Sequence, residues 1–277
     1  MEADDGARSQ GRGSVKLRTE QVQKTALQRE KSSTQLGLSI CLVLAVAFAV
    51  NSARAENGEP ALRVRYEGRL YAVGSKLQDL IFHWTLAASQ DEEWWRTEFR
   101  APGGELVTSE SIRFDGGAFR EYHVVQHTAQ REGRALRHGD QIEFSYTVDG
   151  KTKTHSEPYH AAFTAGPMII SFIQEHWEPL LAGEKFDVYL AAPDRLSSVK
   201  FRAALEERGQ WREQPAVTIR VKPASRLVAS VVAPLDFTLS PDGRTVYQMV
   251  GRTAALRREG GRWKPVRVHG VYSTVEE

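Results

Sequence analysis

Any chemistry in this chain would have to come from its eight histidines and a few carboxylate runs. His123 and His127 are four apart, a spacing that lets two imidazoles share one metal ion on a helix face. Their neighbours alternate as in a strand, where four residues span about 13 Å, too far for one ion. His155 and His160 flank Pro158 in a loop-like stretch, without cysteine ligands or a recognised zinc spacing. Asp91-Glu92-Glu93 lacks the alternating oxygen ligands and turn glycine of a calcium loop and reads as a solvated hairpin tip. Glu175-His176-Trp177-Glu178 sets acids beside a base, but a helix end with an anchoring tryptophan accounts for the same residues. The elbow G-x-S-x-G is absent, as are H-E-x-x-H and G-x-G-x-x-G. Gly150-Lys151-Thr152 ends like a phosphate loop, yet Ser145 stands where its first glycine is required. These residues predict no catalytic group, no metal and no cofactor.

Two other sets point to binding. Arg63, Arg65 and Arg69 form a basic stripe along one strand face, suited to anionic head groups, a wall polymer or simple protection of a sheet edge. Phe82, Trp84, Phe144, Tyr146, Trp177 and Phe186 fall on expected inward faces. In a small barrel they would fill the interior; in a larger one they would line an apolar cavity.

The elements that must position these residues are mostly strands. Leu80, Phe82, Trp84 and Leu86 alternate with Asp79, His83 and Thr85, and Ile142, Phe144, Tyr146 and Val148 with Gln141, Glu143, Ser145 and Thr147. Leu62, Val64, Tyr66 and Leu70 do the same at the start, and Val217-Ile219-Val221 and Val266-Val268 further on. Asp149-Gly150 reads as a two-residue hairpin turn; Asp115-Gly116-Gly117, Pro241-Asp242-Gly243 and Gly260-Gly261 mark further turns. The pattern predicts a mostly β fold, a curved antiparallel sheet or open barrel of about 11–12 strands. One segment breaks the alternation. After Pro167, residues Ile169, Ile170, Ile173, Trp177 and Leu181 recur at helical spacing and Gly183 offers a stop, which predicts one packed amphipathic helix kinked by Pro179. A short second helix is expected around 226–232.

The first 55 residues read as a targeting signal. Leu36 to Val50 holds no charge, Arg29 and Lys31 precede it, and Ala53-Arg54-Ala55 follows. We expect residues 1–55 to be a cytoplasmic n-region and signal peptide, cleaved after Ala55, and residues 56–277 to be one exported, periplasmic β-rich domain. The alternative is an inner-membrane anchor formed by residues 36–50, a run short for a permanent span. Cys41, the single cysteine, lies inside the apolar run, so no disulfide is expected in the exported part. Lys and Arg number 37 against 35 Asp and Glu, which gives no basic excess for nucleic acid.

The stretch beginning at Phe172, FIQEHWEPLLAGEKFDVYLAAPDRLSSVKFR, resembles a pattern in uncharacterised exported bacterial β-rich proteins. There a tryptophan-bearing helix leads through Ala-Gly-Glu to a strand ending in Pro-x-Arg, then to another strand. The segments PLDFTLSPDGRTVYQMVG and VRVHGVY are compatible with it. In architecture alone, the expected sheet and helix are similar to the periplasmic lipoprotein carriers. The resemblance implies no assigned activity. It leaves a non-catalytic envelope protein binding a lipid or other apolar ligand, a structural or assembly protein acting through protein or wall-polymer contacts, and a hydrolase with a dispersed site.

Overall fold

Alternating strands bounded by tight turns fold here into a single winding sheet. The computed structural model describes residues 60–230 and 232–275. The apolar run at 36–50 and the cleavage site after Ala55 lie outside them. The first arm of the sheet comprises β1 (Leu62–Ala72), β2 (Leu80–Ser89), β3 (Trp94–Arg100), β4 (Leu106–Asp115), β5 (Ala118–Gln126), β6 (Arg131–His138), β7 (Gln141–Val148) and β8 (Lys151–Pro158). The second arm, β9 to β15 with the helices, begins with β9 (Phe163–Thr164), α1 (Met168–Glu175), α2 (Trp177–Leu181), β10 (Lys185–Ala192), β11 (Ser197–Trp211) and β12 (Gln214–Pro223). The chain ends with α3 (Arg226–Ala229), β13 (Leu235–Leu239), β14 (Val246–Glu259) and β15 (Arg262–Thr274).

The spatial order is β8 through β1, then β15 back through β9, so the first and last strands pair at the centre. Every ladder is antiparallel except the short β9–β10 pair. Fifteen strands exceed what a twisted open sheet carries flat. The coil shows in hydrogen bonds between strands far apart in the order. Gln126 Nε2 on β5 donates to the Ala254 carbonyl on β14 at 2.8 Å, six strands away, a gap of about 29 Å if flat. At the far ends, the Ser198 backbone N–H on β11 donates to Glu157 Oε1 on β8 at 2.9 Å, and the Ser198 hydroxyl donates to the same oxygen.

The expected mostly β, curved fold is what forms, with more strands than the pattern announced. Two-residue β9 is too short to show a period. Bulges between Leu205 and Glu207 in β11 and between Arg252 and Leu256 in β14 reset the alternation in two of the longest strands. Asp149-Gly150 is a hairpin turn with φ of 51° and 73°, the geometry of the favoured two-residue loop.

The helix is two pieces. Its break falls at His176, upstream of Pro179, because Pro179 has no N–H for the Glu175 carbonyl four residues back. The His176 backbone N–H and its Nδ1–H both donate to the Phe172 carbonyl, at 3.3 and 2.9 Å. Ile169, Phe172, Ile173, Trp177 and Leu180 bury against Val188, Phe201 and Ile219 of the second arm. A second cluster, around Ile112, Tyr122 and Phe144, fills the first arm, and a third, around Leu70, Phe82 and Val268, joins the central strands.

Candidate functional site

Register places one row of side chains across six adjacent strands, five of the first arm and β15. Thr274, Tyr66, Leu86, Thr97, Glu110 and Val124 are successive cross-strand partners from β15 to β5. Period two turns this row inward. Facing it are α1 and the strands of the second arm, with Ile170, Leu190, Leu235 and Met249 on the opposite wall. Between them lies a cavity of about 1110 Å³. The sheet wraps around this space because β14 crosses over β4 and β5, as the Gln126–Ala254 bond records.

Close packing by glycine shapes the wall. Tyr272 on β15 lies over Gly68 and Gly270; a Cβ on Gly68 would meet its ring at 2.7 Å, and one on Gly270 its hydroxyl at 2.7 Å. Its ring meets Trp84 edge-on at 5.1 Å. Burial pushes the Tyr272 phenol well up from its ordinary value, and the nearby Glu110 adds to this.

Glu110 is a buried carboxyl in the wall, only 6% exposed. Tyr122 Oη donates to Oε1 at 2.6 Å and Thr97 Oγ1 to Oε2 at 2.9 Å. No cation pairs with it among the described residues. Burial raises its pKa, and the two hydroxyl donors hold back part of that rise. The sequence signal was present: Glu110 shares a strand face with Ile112 and Phe114, where a carboxylate is out of place.

One end of the cavity is polar. Tyr146 Oη donates to Gln126 Oε1 at 3.1 Å; burial raises its phenol pKa, and the nearby Arg131 holds back part of that rise. Arg252 faces Asp194 at 3.5 Å, and burial pulls its pKa down. Pro193, in the 3-10 turn after β10, presses onto Gly133 of β6, where a Cβ would stand 2.7 Å from its own.

Of the six aromatics singled out in the sequence, Trp84 and Tyr146 line this cavity. Phe82 and Phe144 are buried in the packed clusters, and Phe186 packs against the ring of His176. Trp177 is buried and donates from Nε1 to the Pro241 carbonyl at 3.1 Å, beside a separate cleft of about 390 Å³. The arginine stripe is split. Arg63 and Arg69 are exposed, whereas a bulge between Val64 and Tyr66 brings Arg65 to the cavity wall, where it donates to Glu92 Oε1 at 3.2 Å. Asp91-Glu92-Glu93 forms the β2–β3 hairpin tip.

A serine–histidine pair does occur on this chain: Ser109 Oγ and His127 Nε2 are 2.9 Å apart. Neither residue lines either cavity, and among the described residues no carboxylate orients the far ring nitrogen of His127. The pair lacks the third member and the cleft that acyl transfer needs.

No family model matches the chain, and no curated protein does. Among solved structures it is similar to a β-barrel-like protein of domain of unknown function DUF1849 from Brucella abortus. The two share 10% identity at a TM-score of 0.41, over 78% of this chain and 98% of that one.

Proposed function

We propose that this chain is a non-catalytic binding protein that holds a lipid or other apolar ligand in the cavity between the arms of its sheet. The observation that carries the reading is the space itself. At about 1110 Å³ it has room for a lipid-sized ligand, and aliphatic and aromatic side chains make up most of its wall, with charged and polar groups set among them. The apolar run at 36–50 and the Ala53-Arg54-Ala55 site support an exported, envelope-resident carrier of such a ligand.

The test is native mass spectrometry of the full chain purified without detergent. A stoichiometric lipid-sized mass is expected on the wild type and is lost in Ile170→Glu, which puts a charge on the apolar wall from a half-buried helix position. A clean apo mass in the wild type, or equal retention by the variant, goes against the reading.

A further inference from the structure

We infer that the ligand is an amphiphile with an anionic head, a carboxylate or a phosphate, seated on Arg131, Arg195 and Arg252 at one end of the cavity. This inference rests on the apolar-ligand reading above and adds the chemistry of the head.

The three arginines come from distant parts of the sequence. Arg131 opens β6, Arg195 closes the 3-10 turn after β10, and Arg252 stands at the bulge of β14. The coiling of the sheet brings all three to the cavity wall. Among the described residues, Asp194 is the one carboxylate within ion-pairing distance of any of them, at 3.5 Å from Arg252. Three guanidiniums against one carboxylate leave an excess of two positive charges beside an apolar space. Arginine does not shed its proton to relieve burial, so a partly desolvated Arg252 gains from a bound anion. A planar guanidinium fork matches the paired oxygens of a carboxylate or phosphate.

The floor beneath this cluster is already bonded. Tyr146, Gln126 and the Ala254 carbonyl satisfy one another, so they fix the arginines' surroundings without competing for a ligand. The rest of the cavity disfavours an anion. Arg65 is engaged with Glu92, and Glu110 sits in the wall, where a second carboxylate would be repelled. The head therefore belongs at the arginine end, with the alkyl chain along the wall formed by Leu190, Met249 and Leu86.

The test uses the full chain loaded with N-phenyl-1-naphthylamine, a neutral dye, and displaced at neutral pH by dodecanoate, dodecyl phosphate or dodecanol. Both anions are expected to displace the dye at least about tenfold more tightly than dodecanol, the gain of one charge-assisted hydrogen-bonded contact. Arg131→Gln and Arg252→Gln each remove most of that advantage and leave dodecanol unchanged, while Arg252→Lys keeps part of it. Arg195→Gln, on an exposed turn, repeats the test where the fold is least at risk. Equal displacement by dodecanol and the anions, or an advantage untouched in all three Gln variants, overturns the head-group inference and leaves the apolar cavity standing. Failure of every ligand to displace a bound dye, or no dye binding, removes both. Inorganic phosphate competing as well as dodecyl phosphate makes the site one for a soluble anion, which also overturns the proposal.

Discussion

Glu110 is a carboxyl held in an apolar wall by two hydroxyl donors, with no cation partner among the described residues. Its folded pKa is raised, so the folded state binds its proton more tightly than the unfolded chain. By linkage, the stability it contributes is present below the ordinary glutamate value near 4.5 and is lost as pH rises through the raised folded value. Glu110→Gln should therefore flatten the pH dependence and melt higher than the wild type at pH 8, with the difference shrinking at pH 4.5; thermal melts at the two pH values check it. Asp187 works the other way: Arg202 and Lys200 hold it down to about 2, so its contribution is lost only as pH falls below the ordinary aspartate value. At this scale the sequence was partly legible. Trp84 and Tyr146 could be placed on an inward face because polar residues flank each of them, His83 and Thr85 around Trp84 and Ser145 and Thr147 around Tyr146. Arg252 could not, because the β14 bulge hides which way it turns.

At the scale of elements, turn chemistry sets the register. The β2–β3 and β13–β14 connections share one design: Ser89 and Ser240 donate to Asp91 and Asp242 at 2.5 Å, and each aspartate accepts a backbone N–H two residues on. The β11–β12 hairpin departs from good turn chemistry, with Arg212 and Glu213 at φ of 47° and 69° where asparagine and glycine sit at less cost. Replacing the pair with Asn-Gly should stabilise the protein by about 1 kcal/mol, read as a higher denaturant midpoint with an unchanged slope. Gly243 combines a φ of 73° with a Cβ position 2.5 Å from the Trp177 ring, a rigid neighbour itself pinned to the Pro241 carbonyl. Gly243→Ala should cost about 2 kcal/mol or more, and Trp177 fluorescence should report the disturbed packing. Hairpin turns and the helix start were readable from the sequence because their signals are local. The helix break was displaced from Pro179 because the missing hydrogen bond belongs to the carbonyl four residues upstream.

For the whole molecule, the function proposed depends on how far the sheet coils, and coiling is a long-range property that alternation does not encode. Local period two gives inward faces; it does not say that β5 meets β14 or that β8 returns to β11. The Glu157–Ser198 contact clips those outer strands together. Glu157→Ala should cost about 1–2 kcal/mol and speed amide exchange in β8 and β11 while leaving the central β1–β15 ladder protected. The claim that most needs testing is that the space between the arms takes up an apolar ligand. Its most direct measurement is saturable N-phenyl-1-naphthylamine binding to the full chain, to Ile170→Glu, and to Leu227→Glu, an 82% exposed position on α3 that does not line the cavity. One-to-one binding that survives Leu227→Glu and weakens at least about tenfold in Ile170→Glu is the result predicted. Binding of equal strength in both variants, or none in the wild type, would contradict it.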